Sequence, residues 1–106
     1  MNKSSVKIKY SHDELSAILI ALRGYLKENP KPESTLDKLC NTIVEKLSIR
    51  IAKRLIEGKY DYKFTFTREE SLAYIFIYEE RISYLPDTWT ANLLLATFNH
   101  IHKHTA

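Results

Sequence analysis

The sequence predicts an α+β fold in which four helices cover a small two-stranded antiparallel sheet. Two short segments, residues 6–10 and 62–66, alternate apolar and polar side chains at the period of a half-buried strand. Each segment is followed by a capping-box pattern and an apolar run, which together predict a helix. We therefore predict a single domain over residues 1–106, built from two strand–helix–helix halves at approximately 6–58 and 59–106.

The first half begins with a strand in which lysines alternate with apolar residues. Ser11 and Glu14 then have the spacing of a capping box, in which each side chain bonds the backbone N–H of the other residue. A helix is predicted to follow over about residues 12–28. It ends before Pro30, because the residue that precedes a proline is driven out of the helical conformation.

A long second helix is predicted from Ser34 or Thr35 to about residue 57. Apolar residues recur along this segment every three or four positions, which gives a helix one apolar face. Gly58 fits the C-terminal cap of this helix, where a left-handed backbone is common.

The second half repeats this order of elements. Thr67 and Glu70 have the spacing of a second capping box, and the third helix is predicted to run to about residue 83. A proline then breaks the chain again. Asp87 is expected to cap a fourth helix over about residues 88–103, because a short acidic side chain accepts hydrogen bonds from the free N–H groups of the first turn.

An offset of 56 residues brings the two halves into step without a gap. This suggests an internal duplication, although overall identity between the halves is low and a strand followed by a capped helix is a common unit. Two independent copies of that unit would look similar, so both explanations stay open. The aligned identities include Lys7 with Lys63, Glu14 with Glu70, Ala17 with Ala73, and Pro30 with Pro86.

Composition favours an ordered intracellular protein. Hydrophobic residues make up 44% of the chain and there are only two glycines, which counts against glycine-rich loops that cradle phosphates. The single Cys40 excludes an intramolecular disulfide and fits a reducing compartment. Because we find neither an apolar leader nor an apolar run of about 18–20 residues, we expect a cytoplasmic protein without membrane contact.

Two predicted helices are apolar almost all round, between residues 17–22 and 72–78. One small domain has difficulty enclosing two such helices, so a homodimer is expected. Tyrosine and tryptophan are favoured at interfaces, and the predicted contact patch for a further, unknown protein partner consists of Tyr74, Tyr78 and Trp89. The first functional interpretation is therefore a non-enzymatic protein-interaction or regulatory module.

The alternative interpretation is a weak nucleic-acid-binding protein. Residues 1–58 carry 11 Lys and Arg against 7 Asp and Glu, a balance that weakly suggests an anionic partner. The strand aromatics alternate onto the opposite face, so base stacking on the basic face is not expected, and helix-turn-helix is a poor fit. The candidate residues are Lys7, Lys9 and Lys63 on the sheet and Arg50, Lys53 and Arg54 on the long helix.

No catalytic, cofactor or metal site is predicted. Cys40 belongs to the apolar stripe of the second helix, where a buried thiol is unreactive, and the sequence contains no phosphate-binding loop, dinucleotide fingerprint or H-E-x-x-H motif. His100 and His104 are one helical turn apart and could share a metal ion. A frayed polar tail is the preferred interpretation of these histidines, and the metal pair is the less favoured one.

Overall fold

A computed structural model describes residues 5–82 and 88–105 and confirms the predicted α+β fold. Asp87, the predicted cap of the fourth helix, and the predicted proline break before it lie outside the described residues. The elements in chain order are β1 (Val6–Ser11), α1 (His12–Glu28), α2 (Thr35–Leu55), β2 (Asp61–Phe66), α3 (Arg68–Ile77), a single π turn (Tyr78–Ile82) and α4 (Thr88–Thr105).

Both predicted capping boxes are present and start their helices directly after a strand. The Ser11 hydroxyl accepts a hydrogen bond from the Glu14 N–H, and the Glu14 carboxylate accepts one from the Ser11 N–H. Thr67 and Glu70 make the same reciprocal pair at the start of α3. Because each box satisfies two free N–H groups, the switch from strand to helix is fixed within three residues.

Two predicted helix ends differ from the structure. The second helix ends at Leu55, and Gly58 follows it with a left-handed φ of 68° while its N–H bonds the Leu55 carbonyl. This geometry agrees with the predicted glycine cap. The third helix does not continue as an α-helix to residue 83, since it changes at Tyr78 into a π turn that closes wider hydrogen-bonded rings.

β1 and β2 form an antiparallel pair in which Val6 lies opposite Phe66 and Tyr10 lies opposite Tyr62. The alternation therefore turns one face of the pair inward, where these four residues and Phe64 are almost fully buried. The helices cover that face. Their buried core residues include Leu15, Ile18 and Leu22 of α1, Val44, Leu47 and Ile51 of α2, Ala73, Tyr74 and Ile77 of α3, and Leu94 and Ile101 of α4.

Two buried tyrosine hydroxyls tie α4 to the rest of the core. Tyr10 of β1 shares a hydrogen bond of 2.9 Å with the Thr97 hydroxyl, and Tyr74 of α3 donates one of 2.9 Å to the Leu94 carbonyl. Burial raises the pKa of both phenols well above the ordinary tyrosine value, because the apolar surroundings disfavour the phenolate.

Alkaline solution is therefore expected to unfold the protein through these two groups. A raised folded-state pKa gives stability that is fully present below the unfolded pKa of about 10 and is lost as pH rises above it. Each tyrosine is expected to contribute up to about 1.4 kcal/mol of lost stability per pH unit above that value. Urea denaturation at about pH 8 to 11.5, followed by circular dichroism, measures this slope.

Tyr10→Phe and Tyr74→Phe should each flatten the fall in unfolding free energy above pH 10, whatever they cost at neutral pH. Tyr60→Phe is the matched control, because Tyr60 is 93% exposed. If both core variants keep the slope of the unmodified protein, burial of these phenols does not control its alkaline stability.

Candidate nucleic-acid interface

The outer face of the strand pair is basic, as the alternation predicts. Lys7, Lys9 and Lys63 are exposed there, and Thr65 is half-buried beside them. The register sets Lys7 opposite Thr65 and Lys9 opposite Lys63. We call this surface, formed by Lys7, Lys9, Lys63 and Thr65, the ribbon face.

The alternation of hydrogen-bonded and non-hydrogen-bonded residue pairs along the two strands shows how close Lys9 and Lys63 lie. His12 N–H donates to the Tyr60 carbonyl at 3.0 Å, so this pair, one step beyond β1 and β2, is of the hydrogen-bonded type. Since the two pair types alternate along an antiparallel ladder, Lys9 and Lys63 form a pair of the other type. Such pairs have Cα atoms only about 4.5 Å apart, and their side chains are the closest in a sheet.

A contact made by Thr65 independently supports this assignment of the pair types. A residue in a pair without ladder hydrogen bonds turns its carbonyl away from the neighbouring strand, and Thr65 belongs to the same class as Lys63. The Thr65 carbonyl accepts a hydrogen bond of 3.0 Å from the Arg50 guanidinium of α2. The carbonyl therefore points to the free edge of β2, as the assignment requires.

Positive charge on the ribbon face is concentrated and not compensated by an ion pair. Like charges directly opposite each other destabilise a strand pair, yet Lys9 faces Lys63. In the described part of the chain, neither of them nor Lys7 forms an ion pair. Asp61 is the acidic residue at the end of the same face, opposite Ser11. The arrangement attracts anions because a bound anion would relieve the repulsion.

Arg50, also predicted as a nucleic-acid contact, does not lie with the strand lysines on the ribbon face. Its guanidinium pairs with the Glu70 carboxylate at 2.5 Å and lies over the Phe64 ring, 4.7 Å from the ring centroid. Glu70 is only 6% exposed and also caps α3 through the Thr67 N–H. Arg50 therefore connects α2, β2 and α3, and its charge is paired with the buried Glu70 carboxylate although the Arg50 side chain is itself partly exposed.

The other two predicted residues of the long helix, Lys53 and Arg54, belong to α2 and are not part of the ribbon face. Arg54 lies over the Tyr62 ring, 5.7 Å from the centroid, and pairs with Glu57 at 3.3 Å. Lys53 is exposed on α2. Of the six predicted basic residues, the three strand lysines are the ones that the structure places together on the ribbon face.

The predicted aromatic patch does not form one surface. Tyr74 is 0% exposed, so its prediction as an interface residue is wrong: the core between α3 and α4 encloses it. Tyr78 is half-buried and stacks on Phe98 of α4 at 4.6 Å. Trp89 is 52% exposed, but it lies nine residues from Phe98 on the same helix. Nine residues are two and a half turns, so Trp89 projects from the opposite side of α4.

Among the described residues, His100 and His104 do not form part of a metal site, and Cys40 does not have the surroundings of a reactive thiol. The His100 and His104 rings stack 4.7 Å apart, and His104 Nδ1–H donates to the His100 carbonyl at 2.8 Å. Across residues 5–82 and 88–105, no three His, Cys, Asp or Glu side chains come close enough to hold a metal ion. Burial raises the pKa of the Cys40 thiol, which disfavours the nucleophilic thiolate.

Comparison with protein-family models, curated proteins and solved structures gave no match. Among the helices that the structure describes, none is both long and apolar enough to cross a membrane.

The sequence did contain the signals for the ribbon face, namely two alternating strands at a fixed offset. The alternation also predicted that Thr65 lies on that face, whereas nothing local in the sequence indicated Arg50 as the partner of the capping Glu70.

Arg50→Met is expected to lower the free energy of unfolding by about 2 kcal/mol, because it leaves the buried Glu70 carboxylate without its charged partner. Lys53→Met, an exposed lysine on the same helix, is the control and should change stability by less than about 0.5 kcal/mol. Adding Glu70→Gln to Arg50→Met should cost less than the sum of the two single changes. Equal losses for Arg50→Met and Lys53→Met in urea denaturation would contradict this structural role.

Proposed function

We propose that this protein binds duplex DNA by placing the ribbon face in the major groove. The observation that carries the proposal is the close, unpaired juxtaposition of Lys9 and Lys63 on the open face of a two-stranded antiparallel ribbon. Nucleic-acid binding is the alternative function that the sequence predicts, and the exposed lysines of the ribbon face support it. The protein-interaction alternative is less supported, because its central residue, Tyr74, lies in the core.

The shape of the ribbon supports a duplex partner. Neighbouring strands lie about 4.8 Å apart, and the major groove of B-form DNA is about 12 Å wide and admits a two-stranded ribbon with its side chains. Each strand has six residues, so the ribbon is about 20 Å long at about 3.3 Å per residue. The helices lie on the other side of the sheet and leave this face open.

The chemistry of the face fits the same partner. Lysine ammonium groups donate to phosphate oxygens or to the acceptors of guanine, and a threonine methyl contacts the thymine methyl. The outward residues of the two described strands are lysine, serine, aspartate and threonine, so bases have no aromatic platform to stack on. Duplex RNA is disfavoured because side chains cannot enter its deep and narrow major groove.

The ribbon is complete within one chain, so DNA binding does not depend on self-association. The remaining parts of the proposal are that the protein is not an enzyme and acts in the cytoplasm. They rest on the absence of catalytic motifs from the sequence and on the single buried Cys40.

Fluorescence anisotropy with a random-sequence DNA duplex tests the proposal. We expect micromolar binding at low salt that weakens steeply as salt rises. If three lysines neutralise three phosphates, the slope of log affinity against log salt is about −2.7. A duplex RNA and a single-stranded DNA of the same length should bind more weakly, since neither offers a B-form major groove.

The decisive variant is Lys7→Glu/Lys9→Glu/Lys63→Glu, which should abolish binding. The matched control is Lys27→Glu/Lys31→Glu/Lys38→Glu, because these lysines are also exposed and the change in net charge is the same. The control should keep most of the affinity if the ribbon face is the site. Equal loss in both variants would mean that only net charge matters, and absence of binding at low salt would exclude the proposal.

A further inference from the structure

An apolar groove runs between α2 and α3, away from the ribbon face. It has a volume of about 240 Å³ and is lined almost entirely by apolar side chains of the two helices. Its most exposed apolar members are Leu36, Leu39 and Leu72, which are 53%, 56% and 48% exposed. Its lining residues are Leu36, Leu39, Cys40 and Ile43 of α2 and Glu69, Leu72, Ala73 and Phe76 of α3.

The lining residues have the same spacing on both helices. Each helix contributes positions i, i+3, i+4 and i+7, which form one continuous stripe along a helix. Two such stripes side by side form the kind of groove that accepts an apolar helical surface. Three leucines left about half in water are costly to keep exposed unless another surface covers them, since apolar area is worth about 25 cal/mol per Å² when buried.

Charges at the rim of the groove are divided between the two helices. The Arg50–Glu70 contact places the late part of α2 beside the start of α3, so the helices run antiparallel. Lys46 continues the α2 stripe one turn beyond Ile43, and Glu69 begins the α3 stripe. Both are exposed and lie at the same end of the groove. At this end of the groove the α2 stripe is therefore followed by a lysine, and the α3 stripe begins with a glutamate.

We propose that a second copy of this chain covers the groove, in a dimer whose twofold axis lies in the interface parallel to α2 and α3. Such an axis sets α2 of one protomer against α3 of its partner. The apolar stripes then bury each other, and Lys46 of one protomer faces Glu69 of the other. This charge complementarity is the reason to name a second copy as the occupant, since the groove is its own electrostatic complement.

The dimer does not rest on the DNA-binding proposal. The groove and the ribbon face share no residue, so each can fail while the other holds.

Sedimentation velocity of the full chain over about 5–200 µM tests the dimer. We expect a dimer that becomes a monomer in Leu39→Glu/Leu72→Glu. The matched control is Ile20→Glu/Ile56→Glu, which places two glutamates at exposed isoleucines, 70% and 84% accessible, on other surfaces. This control should remain dimeric, and circular dichroism checks that both variants fold.

A charge swap separates self-association from an unrelated apolar contact. Lys46→Glu and Glu69→Lys should each weaken the dimer about tenfold, because each places like charges opposite each other. The double variant Lys46→Glu/Glu69→Lys should regain most of the dimer affinity. A monomer at 200 µM overturns the proposal. So does a dimer that survives Leu39→Glu/Leu72→Glu, or a double swap that is no tighter than the single variants, because each of these outcomes places any contact elsewhere.

Discussion

The fold depends on burial of one face of a two-stranded ribbon. Two paired strands are marginal in water, because they bury too little apolar surface to offset the loss of chain entropy. Here the inward residues of both strands, with Phe64 at the centre, lie under four helices. α1, α3 and α4 pack on this face, and α2 packs mainly against α1 and α3. The same alternation that buries the aromatic residues is what presents the lysines outward.

Polar contacts in the core fix how the helices sit on the ribbon. Tyr10 reaches Thr97 and Tyr74 reaches the Leu94 carbonyl, so α4 has two directional links in addition to apolar packing. Arg50 links other elements, because its guanidinium joins α2 to the capping Glu70 of α3 and to the Thr65 carbonyl at the edge of β2. Hydrogen bonds in a dry interior are selective, since a misplaced partner leaves a buried polar group unsatisfied.

The two proposed surfaces use different physical forces and lie on different layers. In the proposed DNA complex, the ribbon face would attract its partner by charge, which would make binding sensitive to salt. In the proposed dimer, burial of the apolar groove between α2 and α3 would supply most of the affinity, and charge would decide the orientation. A protein with both surfaces could present two ribbons in one dimer, which raises the effective concentration of the second ribbon once the first is bound.

The sequence by itself determined the elements and their order, because the signals are local. Alternation predicts each strand, and the pairs Ser11–Glu14 and Thr67–Glu70 predict where each helix begins, since a capping box acts within four residues. The basic outer face also followed from alternation alone. The change to a π turn at Tyr78 had no comparable local signal in the sequence.

Only the tertiary structure decided which predicted residues are available at the surface. Tyr74 is a core residue because α4 covers it. Arg50 forms an ion pair with Glu70, a residue 20 positions away in the sequence. The pairing class of Lys9 and Lys63 was equally non-local, because register joins strands that are more than 50 residues apart. Contacts of this kind depend on how helices pack, and that packing is set by the whole core and not by any one segment.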